Sequence, residues 1–214
     1  MKRKHKSAAA VADARSAQAA AWWWEYARVT ANRLSSDLPL ARCDIRETGT
    51  VLGYKEIPFI RGDVLYRRYR AGYGVYEPMP IMAVGSPAFV LGSIAGTAIG
   101  NARGRRAARR AAQIGWRDHR QCSVIATSRG IRCLTGMYAS TVIPYSAVSE
   151  FHPAPWEWTL TLGFGDIDDP LRLTGYAVPT ISVLTAHHLR LDWQADPRFA
   201  SLVEPRTDSP TADR

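Results

Sequence analysis

WTLTLGFGDIDDPLRLTG, residues 158–175, alternates Trp158, Leu160, Leu162 and Phe164 with Thr159, Thr161 and Gly163. That period of two belongs to a strand with one buried face. The polar stretch Gly165–Pro170 then reads as a turn, and Leu171-Arg-Leu-Thr returns along the first strand. One antiparallel hairpin cannot bury its own apolar face, so further strands or a helix must cover it.

The same pattern extends in both directions. Upstream, SVIAT (123–127) and IRCL (131–134) flank a Ser128-Arg129-Gly130 turn, and TVIPY (141–145) and VSEF (148–151) follow. Thr50–Ile57 and Asp63–Tyr69 are rich in β-branched and aromatic residues and read as the first strands, with glycines 53, 62, 72 and 74 as turns or bulges. Arg61-Gly62-Asp63 reads as one such turn. Downstream, a helix is expected from near Pro179, with Ile181, Leu184 and His188 on one side and Leu189 and Leu191 widening the apolar stripe. The expected class is α+β, a curled antiparallel sheet or barrel capped by an amphipathic C-terminal helix.

Three segments resemble bacterial pleckstrin-homology or GRAM-like domain proteins: SVIATSRGIRCL (123–134), VIPYSAVSEF (142–151) and the hairpin 158–175 before the helix. The resemblance covers about Arg120 to Trp193. It is greatest to a largely uncharacterised group of actinobacterial proteins in which a small-residue segment ending in Gly-Asn and arginines, here Gly100-Asn101 through Arg110, precedes a tryptophan like Trp116. The use of 24 arginines against 4 lysines suits such a GC-rich source. The resemblance implies a domain over 47–200 and a role in binding or scaffolding rather than catalysis. It is at odds with a minimal barrel in one place, a long insertion between Met79 and Ile114.

Gly92, Gly96, Gly100 and Gly104 recur at every fourth residue inside that insertion, where no charge occurs from Pro78 to Ala102. Ser86-Pro87 reads as an N-cap and first turn, and Gln113-Ile114-Gly115 as a stop, which bounds a glycine-rich helix at 87–112. Glycine costs a helix interior about 1 kcal/mol relative to alanine, so four on one face imply close approach of another surface. That surface could belong to the same domain or to a second copy of the chain. Arg103, Arg105, Arg106, Arg109 and Arg110 then form a basic stripe on the last turns, a candidate contact for an anionic surface. The uncharged part, Pro87–Ala102, gives about 24 Å of helix against a hydrocarbon core of about 30 Å. A start near Pro80 with a kink at Pro87 would supply the missing length, so a span near 80–102 remains an alternative.

Residues 1–40 read as a helical appendage. Lys2, Arg3, Lys4 and Lys6 open it, alanines continue it, and Trp22, Trp23, Trp24 and Tyr26 give it an aromatic band that cannot face one way on a helix. Those four are candidate interface residues, whether against the domain or a partner. Residues 203–214 are polar and read as a disordered tail. The net charge of +9 is uneven: residues 1–120 carry 21 basic and 9 acidic side chains, residues 121–214 carry 7 and 10. An anionic lipid surface or a protein partner is therefore expected to meet the first part of the chain, with nucleic acid as a lesser alternative.

Nothing in the sequence points to catalysis, a metal or a cofactor. His5, His119, His152, His187 and His188 lack metal-ligand spacing, Asp166, Asp168 and Asp169 lack the frame of a calcium loop, and GxSxG, P-loop and GxGxxG motifs are absent. Cys43, Cys122 and Cys133 form no CxxC pair and leave an odd thiol, which suits a reducing, cytoplasmic setting, with membrane association as a further expectation. The amino terminus lacks the apolar core of a cleaved signal. The glycine face is testable: Gly96→Leu should change thermal stability, oligomer size or membrane partition, and no change in any of the three would refute close packing there.

Overall fold

The computed structural model describes residues 2–71, 113–136 and 140–203, with side chains from residue 12 onward. The glycine-rich helix, the arginine stripe, the 80–102 alternative and the tail after Val203 lie outside the described residues, as do the side chains of Lys2, Arg3, Lys4 and Lys6. Among the described residues the fold is α+β, a curled antiparallel seven-stranded half-barrel with two helices. Helix α1 runs Lys2–Ser35, strands β1 to β7 span Pro58–Ala71, Ile114–Thr127, Gly130–Leu134, Ser140–Pro144, Glu150–Ala154, Thr159–Gly163 and Leu171–Thr174, and helix α2 is Val178–His188. Two compact units are distinguishable, Met1–Arg67 with Asp118–Arg214, and Arg68–Arg117. In the second, Tyr69 packs on Trp116 with ring centroids 5.1 Å apart.

The sheet order is β4-β3-β2-β1-β7-β6-β5. Sequence neighbours pair as hairpins: Ala126 faces Ile131 across the two-residue turn Ser128–Arg129, and Leu162 faces Leu171 across the acidic turn. The alternation at 159–163 delivers Leu160 and Leu162 to the core, joined by Leu171 and Leu173, all fully buried. β4 and β5 form opposite edges of the sheet although only residues 145–149 separate them in sequence.

Three expectations are corrected. Thr50–Ile57 is not a strand but a loop, because the Glu56 carboxylate and backbone fold back on Gly53 instead of pairing with a neighbour. Arg61-Gly62-Asp63 is not a turn but lies inside β1. A Cβ at Gly62 would run into the Ala177 Cβ and come within 3.2 Å of the Trp23 ring, so glycine there admits two neighbours rather than bending the chain. Third, α2 is not amphipathic: all nine residues from Val178 to Ala186 are buried. It packs on β5 and β6, and α1 packs on it as well, covering the face expected to meet water. The helix ends at His188, so Leu191 lies beyond it and is exposed.

The N-terminal helix, read as an appendage, thus contributes Ala27, Ala31 and Leu34 to the core. Small residues at i and i+4 let two helix backbones approach closely. Cys122 and Cys133, on adjacent strands β2 and β3, are buried free thiols joined by a hydrogen bond. Gly62→Val should lower the free energy of unfolding by about 1–3 kcal/mol in chemical denaturation, the usual cost of overpacking; wild-type stability would show that Trp23 and Ala177 do not press on this strand.

Candidate functional site

On α1 the three consecutive tryptophans point three ways, as steps of about 100° require. Trp22 is 58% exposed and stacks on Tyr26, with ring centroids 5.4 Å apart and planes 16° from parallel. Trp23 meets Trp22 edge-on at 4.9 Å and turns inward toward Gly62. Trp24 packs edge-on against Trp158, which packs in the same way on Tyr176. The Tyr176 hydroxyl is hydrogen-bonded to Ser16 Oγ, tying the middle of α1 to the segment before α2. Of the four aromatic candidates, only Trp22 presents a mainly free ring.

Beside this band the structure opens a cavity of about 440 Å³. Tyr26, Val29, Thr30 and Arg33 of α1 form one wall, Pro39, Leu40 and Ala41 another, and Phe59, Thr180 and Leu184 the remainder. The second wall is held by Arg33, whose Nε and Nη2 donate to the Pro39 carbonyl at 3.1 and 2.6 Å. Thr30 Oγ1 donates back to the Tyr26 carbonyl at 2.8 Å, a bond internal to the helix. Burial, with a smaller contribution from Cys43, pushes the Tyr26 phenol up, so it stays a neutral donor.

Two buried polar clusters flank the region where β2, β3 and α2 end. Glu56, with its side chain 2% exposed, receives Arg132 Nε at 3.0 Å and Nη2 at 2.6 Å, one on each oxygen. Gly53 N–H donates to the same carboxylate at 2.8 Å. The Thr127 hydroxyl donates to it at 2.7 Å while accepting the Arg129 and Gly130 N–H groups of the hairpin turn. The Arg132 guanidinium, chiefly, holds the Glu56 carboxyl down at about 2. The second cluster centres on His188, whose ring lies between Tyr145 at 4.8 Å and Phe59 at 5.9 Å, both stacked. Its Nε2 is buried without a hydrogen-bond partner among the described residues. Burial, and then the neighbouring His187, lowers its pKa to about 4, so it is neutral at physiological pH.

Arg132 and Glu56 neutralise each other, and the His188 ring lies between those of Tyr145 and Phe59. Among the described residues no group of three His, Cys, Asp or Glu side chains could hold a metal ion, and no helix is long and apolar enough to cross a membrane. The acidic turn 165–170 borders an open depression in which Asp169 N–H donates to Asp168 Oδ1 at 2.8 Å. Comparison with protein-family models, curated proteins and solved structures finds no match to this chain.

The sequence pointed to Trp22, Trp23, Trp24 and Tyr26, and the structure places Tyr26 on the cavity wall. It did not point to Arg33, Thr180 or the Glu56–Arg132 pair. The spacing 22, 26, 29, 33 is the one signal that could have found the α1 wall, since those positions share a face within about 60° of the helical wheel.

The two clusters give stability a defined pH profile. His188 binds a proton near 6.5 when unfolded and near 4 when folded, so its contribution is complete above 6.5 and is lost as pH falls toward 4. Glu56 acts lower, its contribution being lost between 4.5 and about 2 and amounting to about 3 kcal/mol. Melting temperature should therefore fall in two steps on acidification. His188→Phe should flatten the upper step, and Glu56→Gln the lower one while costing about 3 kcal/mol at neutral pH; unaltered profiles would refute the assignments.

Proposed function

We propose that this chain is a pleckstrin-homology-like binding module that docks on an anionic membrane surface or a partner protein and performs no chemistry of its own. The observation that carries the reading is the strand order β4-β3-β2-β1-β7-β6-β5 followed directly by a helix packed on β5 and β6. Four strands in succession, a crossing to the far edge, three more strands and a closing helix is the arrangement that the resemblance at 123–134, 142–151 and 158–175 implies. Since folds host many functions, the architecture argues for a binding scaffold and leaves its ligand to be argued from charge and surface. The charge of +9 and its concentration in residues 1–120 favour an anionic partner. The five arginines from Arg103 to Arg110 are the densest source, each worth about 1 kcal/mol near an anionic bilayer. Trp22, exposed and amphipathic, suits a water–apolar boundary.

Flotation with vesicles tests this. The full chain should float with phosphatidylcholine vesicles containing phosphatidylserine and not with phosphatidylcholine alone, and high salt should release it. Replacing Arg103, Arg105, Arg106, Arg109 and Arg110 by serine should weaken that binding at least about tenfold. Equal binding to both vesicle types, or tighter salt-sensitive binding to duplex DNA, would overturn the membrane reading. Binding to neither, with a discrete protein recovered by cross-linking, would move the docking site to a protein partner.

A further inference from the structure

We infer that the cavity between α1, the 39–41 segment and α2 is a binding site for a small amphipathic anion, an apolar chain or ring system carrying one carboxylate-type group. Protein interiors pack closely and leave few voids larger than a water molecule. A cavity of about 440 Å³ lies instead in the size range of small-molecule sites, which are mostly apolar with a few placed polar groups. Val29, Pro39, Leu40, Ala41, Phe59 and Leu184 supply the apolar surface.

The polar groups define the chemistry. Among the described residues Arg33 is the one charged residue lining the cavity, and no carboxylate lines it. Two of Arg33's five N–H groups are used on the Pro39 carbonyl, which fixes the guanidinium at the cavity wall and leaves Nη1 to meet an anion. Tyr26, kept neutral by burial, adds a hydroxyl donor. At the deep end the fully buried Thr180 also lines the cavity, and its hydroxyl has no hydrogen-bond partner among the described residues. A buried hydroxyl is costly to leave unpaired, and a polar atom brought in by a ligand would relieve that cost. The exposed residues Val29, Arg33 and Ala41 form the mouth, so a ligand would enter tail first and leave its charged end on Arg33.

The inference goes beyond the docking reading and does not rest on it: vesicle binding and ligand binding can fail separately. Calorimetric titration of the full chain with decanoate and with decanol, below their aggregation limits, is the test. Saturable binding of decanoate at one per chain is expected. Arg33→Gln, whose side-chain amide can still donate to the Pro39 carbonyl, should weaken decanoate about tenfold, the loss of a charge-assisted bond, and leave decanol nearly unchanged, which reads whether the wall is kept. Ala41→Trp, which fills the mouth from an exposed position, should abolish binding of both at an unchanged melting temperature, and Val29→Trp should do the same. No saturable binding by the wild-type chain, equal decanoate affinity in Arg33→Gln, or undiminished binding in folded Ala41→Trp and Val29→Trp would each overturn the inference.

Discussion

The five residues between Pro144 and Glu150 constrain the whole molecule. They join strands at opposite edges of a seven-stranded sheet, which in a flat sheet would stand about 29 Å apart, six spacings of about 4.8 Å. Six fully extended Cα steps reach about 20 Å, and Tyr145–Ala147 spend half of theirs in a 3₁₀ turn of about 2 Å per residue. The connection can be made only if the sheet curls until β4 and β5 approach each other. Tyr145 sits at this corner and is buried, its backbone N–H on the Arg129 carbonyl at 3.2 Å and its hydroxyl on the Thr127 carbonyl at 3.1 Å. Just beyond it, Ser149 N–H takes up the Gly163 carbonyl at 2.9 Å and starts the second run of strands. The same tyrosine ring stacks on His188, so the residue that turns the chain also receives the end of α2.

Curling has consequences for the helices. Packed on β5 and β6 and covered by α1, α2 buries Ile181 and Leu184 as any covering helix would, and Val183 and Ala186, at other angles around the helix, are equally buried. Burial all round needs a cover besides the sheet, and α1 packs on α2 with the small buried residues Ala27 and Ala31 among its core positions. The approach is close enough that Gly62 must be glycine to pass beneath Trp23 and Ala177. It is not free of cost. Among the described residues Thr180 and Ser182 leave buried hydroxyls without partners, about 1–3 kcal/mol each, whereas Thr185 escapes by donating to the Ile181 carbonyl at 2.7 Å. Apolar burial along two faces of the same helix offsets that loss at about 25 cal/mol per Å².

What could be read in the sequence follows from the range of the forces involved. The hairpin 158–175 and the turn at 128–130 are set by alternation and turn residues within a few positions, and both stand where the pattern put them. Thr50–Ile57 has strand-like composition but no strand, because β propensity reports a fit to a pleated surface and this segment is instead drawn to Arg132, 76 residues away, through Glu56. The apolar stripe of α2 was legible on one side alone, since the other buried positions include Thr180, Ser182 and Ala186, which look neutral in isolation. The cavity was illegible for the same reason. Its walls come from four separated segments, and no local rule relates Arg33 to Pro39 or either of them to Thr180.

The packing of the helices explains how α1 divides its circumference between the core and the cavity. At about 100° per residue, Ala27, Ala31 and Leu34 lie within about 60° of one another on the face turned to the core, while Trp22, Tyr26, Val29 and Arg33 share a face centred about 140° away. A helix laid over another helix can commit only part of its circumference to the contact, and here the small residues take that part. The larger ones are left at the margin, where the chain beyond Ser35 turns back and Arg33 fastens it at Pro39. Close packing of Ala27 and Ala31 and an open cavity at Val29 and Arg33 are thus two results of one arrangement: α1 is held near α2 by its smallest side chains and held away from the 39–41 segment by its largest.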